Sequence, residues 1–252
     1  MTHVLVVPAA GRGSRLGASV PKALVPVNGR PMLDYLADLY APVVTQMIVV
    51  AHPSFSASIE QWGRRYGNVS VAEQASPTGM LDAILAAASL VRRLAADTIW
   101  ITWGDQIGVL PATVSRLAAL IGGTSAGRPS LALPTVSRRD PYVHFERDSG
   151  GRIVRLRQRR EGDVMPAEGE SDIGLFALSR AAFEEDLRDY ARDVPPGSAT
   201  GERNFVPFVP WLAHRRTVET FSCTHPQEAV GVNTPEELAE MSAWLRSRTA
   251  PS

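Results

Sequence analysis

The sequence contains very little lysine, and neither sign of charge predominates. Its 252 residues include 26 basic and 26 acidic side chains, so the formal net charge at pH 7 is zero. A general nucleic-acid binder normally carries a basic excess, so that class is disfavoured and no nucleic-acid partner is expected. Lys22 is the only lysine, which leaves 25 arginines. Any anion that the protein handles is therefore expected to be held by local geometry rather than by a broadly basic surface.

Cysteine pairs, histidine clusters and long hydrophobic runs are also missing. Cys223 is the only cysteine, which excludes an intrachain disulfide and a thiolate metal cluster. The histidines show no H-x-x-x-H pair, so a histidine-rich metal site is not expected. The apolar run at the N-terminus is too short for a signal sequence or a membrane span. These absences predict a reduced, cytoplasmic protein with no membrane partner.

Short apolar runs that alternate with helical patterns predict βα units and a largely parallel sheet. The predicted strands of the first half are residues 4–7, 47–51, 69–72 and 98–102, and its predicted helices are residues 31–40, 56–66 and 79–94. Strands dominate after residue 130, with predictions at 131–134, 143–146, 153–158 and 172–177. Helices are predicted at 179–190 and 235–248, and the second of these begins with Thr234 as N-cap and Glu237 three residues on.

A glycine-rich turn, AAGRGSRL at residues 9–16, directly follows the first predicted strand. Backbone N–H groups of such a turn can approach phosphate oxygens without a Cβ in the way. Leu16 stands where a dinucleotide-binding fingerprint needs glycine, and the Gly-Lys-Ser/Thr of a P-loop is absent, so both motifs are excluded. What remains is a turn with Arg12 and Arg15, followed by Pro21 and Lys22. A simple connection between two elements is the alternative interpretation.

The segment PAAGRGSRLGASVPKALVPVNGRPML, residues 8–33, resembles the opening of the sugar-phosphate nucleotidylyltransferases, which read G-x-G-[TS]-R-[LM] and then P-K-x-L. Three later segments extend the resemblance. QASPTG at 74–79 is similar to the base-reading segment of the glucose-1-phosphate thymidylyltransferases. WGD at 103–105 resembles a strand-end G-D that supplies a metal-binding aspartate. GVNTP at 231–235 resembles the GVN segment of the N-acetylglucosamine-1-phosphate uridylyltransferases.

The resemblance implies a magnesium-dependent transfer of a nucleoside monophosphate from a nucleoside triphosphate, with UTP or dTTP favoured, to a sugar 1-phosphate or cyclitol phosphate. Such a transfer crowds negative charge, so catalysis requires charge neutralisation and alignment. It implies that Lys22 contacts the α-phosphate and the acceptor phosphate, and that Arg15 neutralises the leaving pyrophosphate. Mg²⁺ would be held by Asp105 and Asn233. The implied nucleotide-binding residues are Ala10, Gly11, Gly13, Ser14, Gln74 and Gly79.

Two positions depart from the family pattern on the acceptor side. Gln158 stands where the family commonly has a sugar-binding glutamate, and a glutamine cannot present two acceptor oxygens to a diol. Asp172 and Gly174 stand where an Asn-x-Gly is usual, although an aspartate can still bind a hydroxyl. We expect all three residues to bind the acceptor, whose identity the departures leave open.

The resemblance implies an α/β fold of the nucleotide-diphospho-sugar transferase type, with a Rossmann-like, mostly parallel but mixed sheet flanked by helices and a small β-rich acceptor subdomain. We expect a single domain over residues 1–252, with a nucleotide-binding half at 1–130 and a sugar-phosphate acceptor half at 131–252. The chain shows no hexapeptide repeats, so no second activity is expected on it. The alternatives are a cytidylyltransferase that acts on an alcohol phosphate such as phosphocholine, and a non-catalytic nucleotide-sensing subunit of the same fold.

Overall fold

The structure, a computed structural model, describes residues 2–11, 20–123 and 127–249. The strands in these ranges are β1 (His3–Pro8), β2 (Pro26–Val27), β3 (Arg30–Pro31), β4 (Gln46–Ala51), β5 (Val69–Glu73), β6 (Thr98–Thr102), β7 (Leu131–Arg139), β8 (Val143–Arg147), β9 (Ile153–Gln158), β10 (Glu168–Asp172), β11 (Leu175–Ser179) and β12 (Val218–Ser222). The α-helices are α1 (Met32–Tyr40), α2 (Pro53–Gly63), α3 (Met80–Ala86), α4 (Ala88–Arg93), α5 (Pro111–Ile121), α6 (Leu187–Asp193), α7 (Phe208–Ala213) and α8 (Pro235–Thr249). A π-helical turn, Ala182–Asp186, precedes α6.

One mixed sheet dominates the fold. Strands β5, β4, β1 and β6 lie side by side in that order and are all parallel. Strand β11 runs antiparallel between β6 and β7. Strand β10 pairs antiparallel with the later part of β7, and β12 pairs parallel with its first part. The strands β1, β4, β5, β6, β7 and β12 therefore share one direction, and β10 and β11 run against them.

Helices bury both faces of this sheet, and β1 shows how its residues divide between them. Leu5 and Val7 pack with residues of α1, α2, α5 and α8, whereas Val4 and Val6 pack on the other side with residues of α3, α4, α6 and α7. Side chains of a strand alternate between faces, and all four of these are fully buried. Each such side chain contributes about 1.5–3 kcal/mol of hydrophobic stabilisation. The continuous apolar run is typical of a strand covered on two sides.

A small antiparallel hairpin, β8–β9, stands apart from the main sheet and contacts β10 and α7. The Oδ1 atom of Asp148 holds its turn together by accepting hydrogen bonds from the backbone N–H groups of Gly150 and Arg152, both at 3.0 Å. The hairpin accounts for two of the strands predicted in the second half. The proposed division of the chain at residue 130 remains a prediction.

The predicted fold class is confirmed, and several element boundaries are corrected. The predicted strand 172–177 is wrong because β10 ends at Asp172 and β11 begins at Leu175. Gly174 bends the chain between them, with a φ of 73° in the left-handed region that favours glycine. The predicted helix 79–94 is divided into α3 and α4 around Ala87. Helices α5 and α7 and strand β12 were not predicted. No helix in the described ranges is long and apolar enough to cross a membrane.

Candidate active site

Most of the predicted site residues that the structure describes gather around the carboxyl edge of the sheet, and Gln158 is the exception. Strand β4 lies on one side of β1 and β6 lies on the other, and the chain reaches β6 only after it has formed β5. The strand order therefore reverses beside β1. Open α/β sheets bind ligands in the crevice that such a reversal leaves outside the carboxyl ends of the strands. The segments after β1 and β6 both enter this crevice.

The glycine turn after β1 is described only in part. Ala10 and Gly11 line a cleft beside the end of the strand, and a Cβ built on Gly11 would meet no atom of the described residues within 4 Å. The predicted phosphate-binding residues Gly13, Ser14 and Arg15 lie outside the described residues, as does Arg12. Their assignment stays a prediction.

Lys22, Asp105 and Asn233 meet at the centre of the crevice. The Nζ atom of Lys22 donates to the carboxylate of Asp105 and, at 2.7 Å, to the side-chain Oδ1 of Asn233. The lysine and aspartate side chains are only 21% and 15% exposed, so the pair is better shielded from water than a surface ion pair. The lysine is 83 residues from the aspartate and 211 from the asparagine along the chain. The fold therefore brings together the lysine and both candidate metal ligands.

Local structure fixes each of these three side chains. Lys22 begins a short 3-10 turn, Lys22–Leu24, which follows an extended proline. Asn233 precedes α8, where the carboxylate of Glu237 accepts the backbone N–H groups of Asn233 at 2.7 Å and Thr234 at 3.0 Å. The hydroxyl of Thr234 accepts the N–H of Glu237 at 3.2 Å, so the predicted helix cap is confirmed. The backbone N–H of Val232 donates to the Asp105 carbonyl at 3.3 Å, which ties the two ligand segments together.

A buried carboxylate supports the same corner and was not identified from the sequence. Glu228 is fully buried, and its two oxygens accept backbone N–H groups from Leu110, Thr224 and His225 at 3.0–3.1 Å. It joins the segment after Asp105 to the segment before Asn233. The sequence signal was present, because Glu228 is the third residue after His225, the N-cap of a 3-10 turn, and completes a capping box.

The candidate base-reading residues lie on one side of this centre, after β5. Gln74 and Gly79 line the same cleft as Gly11, and the side-chain Nε2 of Gln74 donates to the Gly79 carbonyl at 3.1 Å. Gly79 has a φ of 123°, and a Cβ there would lie 2.5 Å from the backbone nitrogen of Arg203. Glycine is therefore required at this position for close packing as well as for backbone conformation. The residues that complete the cleft include Arg160, Glu202 and Asn204.

A second cleft opens on the other side of Asp105 and Asn233, towards β10. Asp172 and Gly174 line it, and the backbone N–H of Gly174 donates to the Asp172 carboxylate at 2.7 Å. Burial raises the pKa of Asp172 from 3.8 to about 6 because the charged form loses hydration. Gln158, the third acceptor residue that we predicted, ends β9, and its backbone N–H donates to Asp163 at 2.7 Å. The lining of the clefts includes Arg160, two residues further on, and not Gln158.

The loop at residues 199–204 borders the first cleft and is held by Glu161, a residue that was not identified from the sequence. The Glu161 carboxylate accepts hydrogen bonds from the Ala199 backbone at 3.0 Å, from the Thr200 hydroxyl and from the Asn204 side chain at 2.9 Å. The Thr200 hydrogen bond is the main reason why the pKa of Glu161 is lowered. No local sequence pattern predicted these hydrogen bonds, because Glu161 and its partners are 38, 39 and 43 residues apart in the chain.

The oxygen atoms of Asp105 and Asn233 form a donor set that fits a hard divalent cation. Both lie within hydrogen-bonding reach of one cationic atom, Nζ of Lys22, so they already surround a single positive charge. Mg²⁺ prefers oxygen ligands and is usually held by one or two carboxylates together with substrate phosphates. In the described part of the chain no three His, Cys, Asp or Glu side chains form a metal cluster. The donor set therefore suits a metal that shares its coordination with a phosphate.

Chemically, the crevice combines a cation, a carboxylate and an amide between two clefts. Lys22, Asp105 and Asn233 line the space that joins the clefts, together with Gly11 and Trp103. A group that lies there meets positive charge from Lys22 and open backbone from Gly11. Such an arrangement can align and neutralise phosphates, which is the main requirement of phosphoryl-type transfer.

Comparisons with known proteins agree with this geometry. A family model described as the MobA-like NTP transferase domain matches residues 5–171. The bifunctional protein GlmU of Pelotomaculum thermopropionicum is 31% identical over 255 residues, which cover 98% of this chain and 53% of that protein. The bifunctional protein GlmU of Maricaulis maris is 29% identical over 256 residues, with 98% and 53% covered. The corresponding protein of Kineococcus radiotolerans is 28% identical over 249 residues, with 97% and 49% covered.

The chain spans about half the length of the curated relatives that it matches. The residues that the family model matches include most of β1 and β10 and all the strands between them, together with Lys22 and Asp105. The resemblance to sugar-phosphate nucleotidylyltransferases is therefore confirmed, and the chain contains a nucleotidyltransferase domain. The chain belongs to the family of MobA-like NTP transferase domains.

Proposed function

We propose that this protein transfers a nucleoside monophosphate from a nucleoside triphosphate to a sugar 1-phosphate or a similar cyclitol phosphate, with Mg²⁺ as cofactor. The observation that carries the proposal is the convergence of Lys22, Asp105 and Asn233 between two clefts at the switch point of the sheet. One cleft contains the candidate base-reading residues and the other contains the half-buried carboxylate of Asp172. Two substrates held in these clefts would present their phosphates to the same lysine.

In the proposed reaction, an oxygen of the acceptor phosphate attacks the α-phosphorus of the triphosphate. One P–O bond forms, the bond between the α- and β-phosphates breaks, and pyrophosphate leaves. Lys22 places a compact positive charge between the two reacting phosphates, which a wider guanidinium fork cannot do in the same way. Arg15 neutralises the leaving pyrophosphate. These roles lower the repulsion between the two anions and align them.

The metal would be held by Asp105 and Asn233. When bound, it supplies charge neutralisation at the phosphates. Lys22 donates hydrogen bonds to the side-chain oxygens of both ligands, so one cation keeps these oxygens ordered. Glu237 and Glu228 contribute indirectly, because they hold the backbone on which Asn233 and Asp105 stand.

A pyrimidine nucleotide, UTP or dTTP, is the favoured donor. Gln74 offers an amide to a base, and its position is fixed by its hydrogen bond to the Gly79 carbonyl. Gly79 is required at this position because a Cβ there would overlap the backbone of Arg203. On the acceptor side, Asp172 and Gly174 remain the proposed contacts to hydroxyl groups, and Gln158 is the weaker candidate.

The experiment is a pyrophosphate-release assay with Mg²⁺. It crosses ATP, GTP, CTP, UTP and dTTP with a panel of sugar, cyclitol and alcohol phosphates. We expect the highest rate for UTP or dTTP with a sugar 1-phosphate. Turnover only with CTP and phosphocholine would replace the proposal with a cytidylyltransferase. Triphosphate binding without turnover for any pair would indicate a nucleotide-sensing protein.

Matched variants test whether Asp105 holds the metal. Asp105→Asn keeps the size of the side chain but removes its charge, and we expect it to need much more Mg²⁺ for any residual rate. Asp38→Asn is the control, because Asp38 forms an exposed ion pair with Arg30 away from the crevice. Equal Mg²⁺ dependence in Asp105→Asn and in the wild type would contradict the assigned metal site.

A further inference from the structure

Arg138, near the end of β7, is the one half-buried arginine in the described ranges whose side chain forms no hydrogen bond or ion pair. The other half-buried arginines of these ranges each form at least one: Arg128, Arg157, Arg159 and Arg203. The described arginines that also lack one are exposed to solvent: Arg64, Arg93, Arg116, Arg139, Arg155, Arg188 and Arg248. Withdrawing a charge from water without a partner is unfavourable, so an unpaired arginine is rarely buried.

The charge of Arg138 acts inside the proposed acceptor cleft. Arg138 lines this cleft together with Asp105, Asp172 and Asn233. Burial raises the pKa of Asp172, and the positive charge of Arg138 opposes part of that rise, so the guanidinium lies near the carboxyl group. The two groups nevertheless form no ion pair with each other. The guanidinium therefore faces the acceptor side of the crevice without being neutralised there.

The carboxylates around Arg138 are engaged by other groups. Those that line the cleft each accept at least one hydrogen bond: Asp105, Asp172, Glu237 and Glu240. Asp140, whose pKa is lowered mainly by Arg159 and also by Arg138, forms its ion pair with Arg159. Among the charged side chains that the structure describes in this lining, Arg138 is therefore the one without a partner.

The position of Arg138 separates it from the centre where the phosphates would react. The described lining of the space that joins the clefts includes Lys22, Asp105 and Asn233, and not Arg138. The reacting phosphate of the acceptor would be held at that centre, so Arg138 is available to another group of the same ligand. A guanidinium presents its N–H donors in a planar fork that matches two oxygens of a carboxylate or a phosphate. Arg160, which lines both clefts, adds a second cation nearby, and its contact with Glu202 is long, at 3.4 Å.

We propose that the acceptor carries a second anionic group on its ring, a carboxylate or a phosphate, and that the Arg138 guanidinium binds it. The inference rests on the proposed function and narrows the acceptor to sugar or cyclitol phosphates with two anionic groups. A site built to pair with a polar group discriminates strongly against an analogue that lacks this group, because the site is then left unpaired. Arg138 is thus a specificity-determining residue on the acceptor side.

The test compares acceptors that differ in one anionic group, with Mg²⁺ and the triphosphate that the wild type uses fastest. Glucose 1-phosphate is compared with glucuronic acid 1-phosphate and with glucose 1,6-bisphosphate. Inositol 1-phosphate is compared with the inositol bisphosphates, which place the second phosphate at each other ring position. For at least one acceptor with two anionic groups we expect the wild-type kcat/KM to exceed that of its parent by about tenfold or more, as for a charge-assisted hydrogen bond.

Variants assign this preference to Arg138. Arg138→Gln keeps much of the length of the side chain but removes its charge, and it should use the preferred acceptor and its parent within about threefold of each other. Its kcat/KM on the parent and its KM for the triphosphate should stay within about threefold of the wild type, because neither contact involves Arg138. Arg139→Gln is the matched control, because Arg139 is the next residue of β7, is exposed and does not belong to the described lining of the cleft. It should keep the wild-type preference.

A second variant keeps the test decisive if Arg138→Gln does not fold, as judged by circular dichroism. Arg138→Lys keeps the charge but loses the planar fork, so the preference should fall by about threefold or more. An unchanged preference in this variant overturns the assignment to the guanidinium of Arg138.

The remaining outcomes distinguish this inference from the proposed function. Turnover of glucose 1-phosphate or inositol 1-phosphate with no preference for any acceptor with two anionic groups overturns the inference alone. A preference that persists in Arg138→Gln also overturns it, because another cation then binds the second group. Equal losses on the preferred acceptor and its parent would mean that Arg138 binds the phosphate common to both, and they overturn the inference as well. Failure of the wild type to use any of these phosphates overturns the proposed function and this inference with it.

Discussion

Replacing Lys22 with arginine, which supplies every other Lys or Arg position of this sequence, is the sharpest test of the proposed mechanism. Lys22→Arg keeps the charge that pairs with Asp105, and we expect its stability to stay within about 1 kcal/mol of the wild type. The guanidinium is wider than an ammonium and forms a planar fork, so it cannot place one point charge between two phosphates. Turnover should therefore fall by about 10²–10³-fold, which corresponds to about 3–4 kcal/mol of barrier.

Lys22→Met separates charge from shape. It leaves the Asp105 carboxylate, which is 15% exposed, without its cation. Loss of a shielded hydrogen bond to a charged group costs about 2 kcal/mol, which would lower Tm by roughly 4–8 °C in a protein of this size. The methionine variant should thus be both inactive and less stable, whereas the arginine variant should be inactive and stable.

The assay pairs pyrophosphate release under saturating substrate with thermal unfolding followed by circular dichroism. A rate for Lys22→Arg within a few fold of the wild type would refute the argument from the shape of lysine. A Tm for Lys22→Met equal to that of the wild type would show that the contact with Asp105 and Asn233 adds nothing to stability.

Three further outcomes follow from the geometry of the clefts. Burial raises the pKa of Asp172 to about 6, so its carboxylate is lost as the pH falls through that value; the acceptor KM should rise between pH 7 and pH 5, and Asp172→Asn should show a flat profile. Gly79→Ala should lower the free energy of unfolding by at least about 2 kcal/mol through strain and overlap, whereas Gly67→Ala, at a φ of 72° with no atom of the described residues within 4 Å of the added Cβ, should cost less. Glu161→Ala should increase hydrogen exchange at residues 199–204, which lose their anchor, and unchanged exchange would contradict its role.

Much of the fold could be predicted from local patterns. The parallel strands β1, β4, β5 and β6 were predicted because such strands are short, continuous apolar runs, whereas the two-residue strands β2 and β3 were not predicted. The cap of α8 was predicted because Thr234 and Glu237 have the spacing of a capping box, which the hydrogen bonds confirm. Helix α5 was missed although Val114, Leu117 and Ile121 have helical spacing. Helix α7 and strand β12 were missed because they are short, and short segments give a weak periodic signal.

The candidate site was likewise predicted only in part. The motifs nominated Lys22, Asp105 and Asn233 one at a time, and none of the motifs showed that the three side chains meet. The bend at Gly174 was misread as part of a strand, because a single glycine gives no local sign that Trp103 and Gln106 pack against it. Glu161 and Glu228 carried no motif for ligand binding, because their importance comes from partners distant in the chain.

The sequence by itself determined the family resemblance, the sheet-based fold class and the choice of chemistry, because these depend on local spacing and on residue type. One lysine among 25 arginines was enough to single out the position where we predict that the shape of the cation matters. Only the tertiary structure decided that this lysine holds both candidate metal ligands and that Arg160 rather than Gln158 lines the clefts. The reason is physical: contacts across 83 or 211 residues are fixed by how strands pair and helices pack, and no local pattern records that pairing.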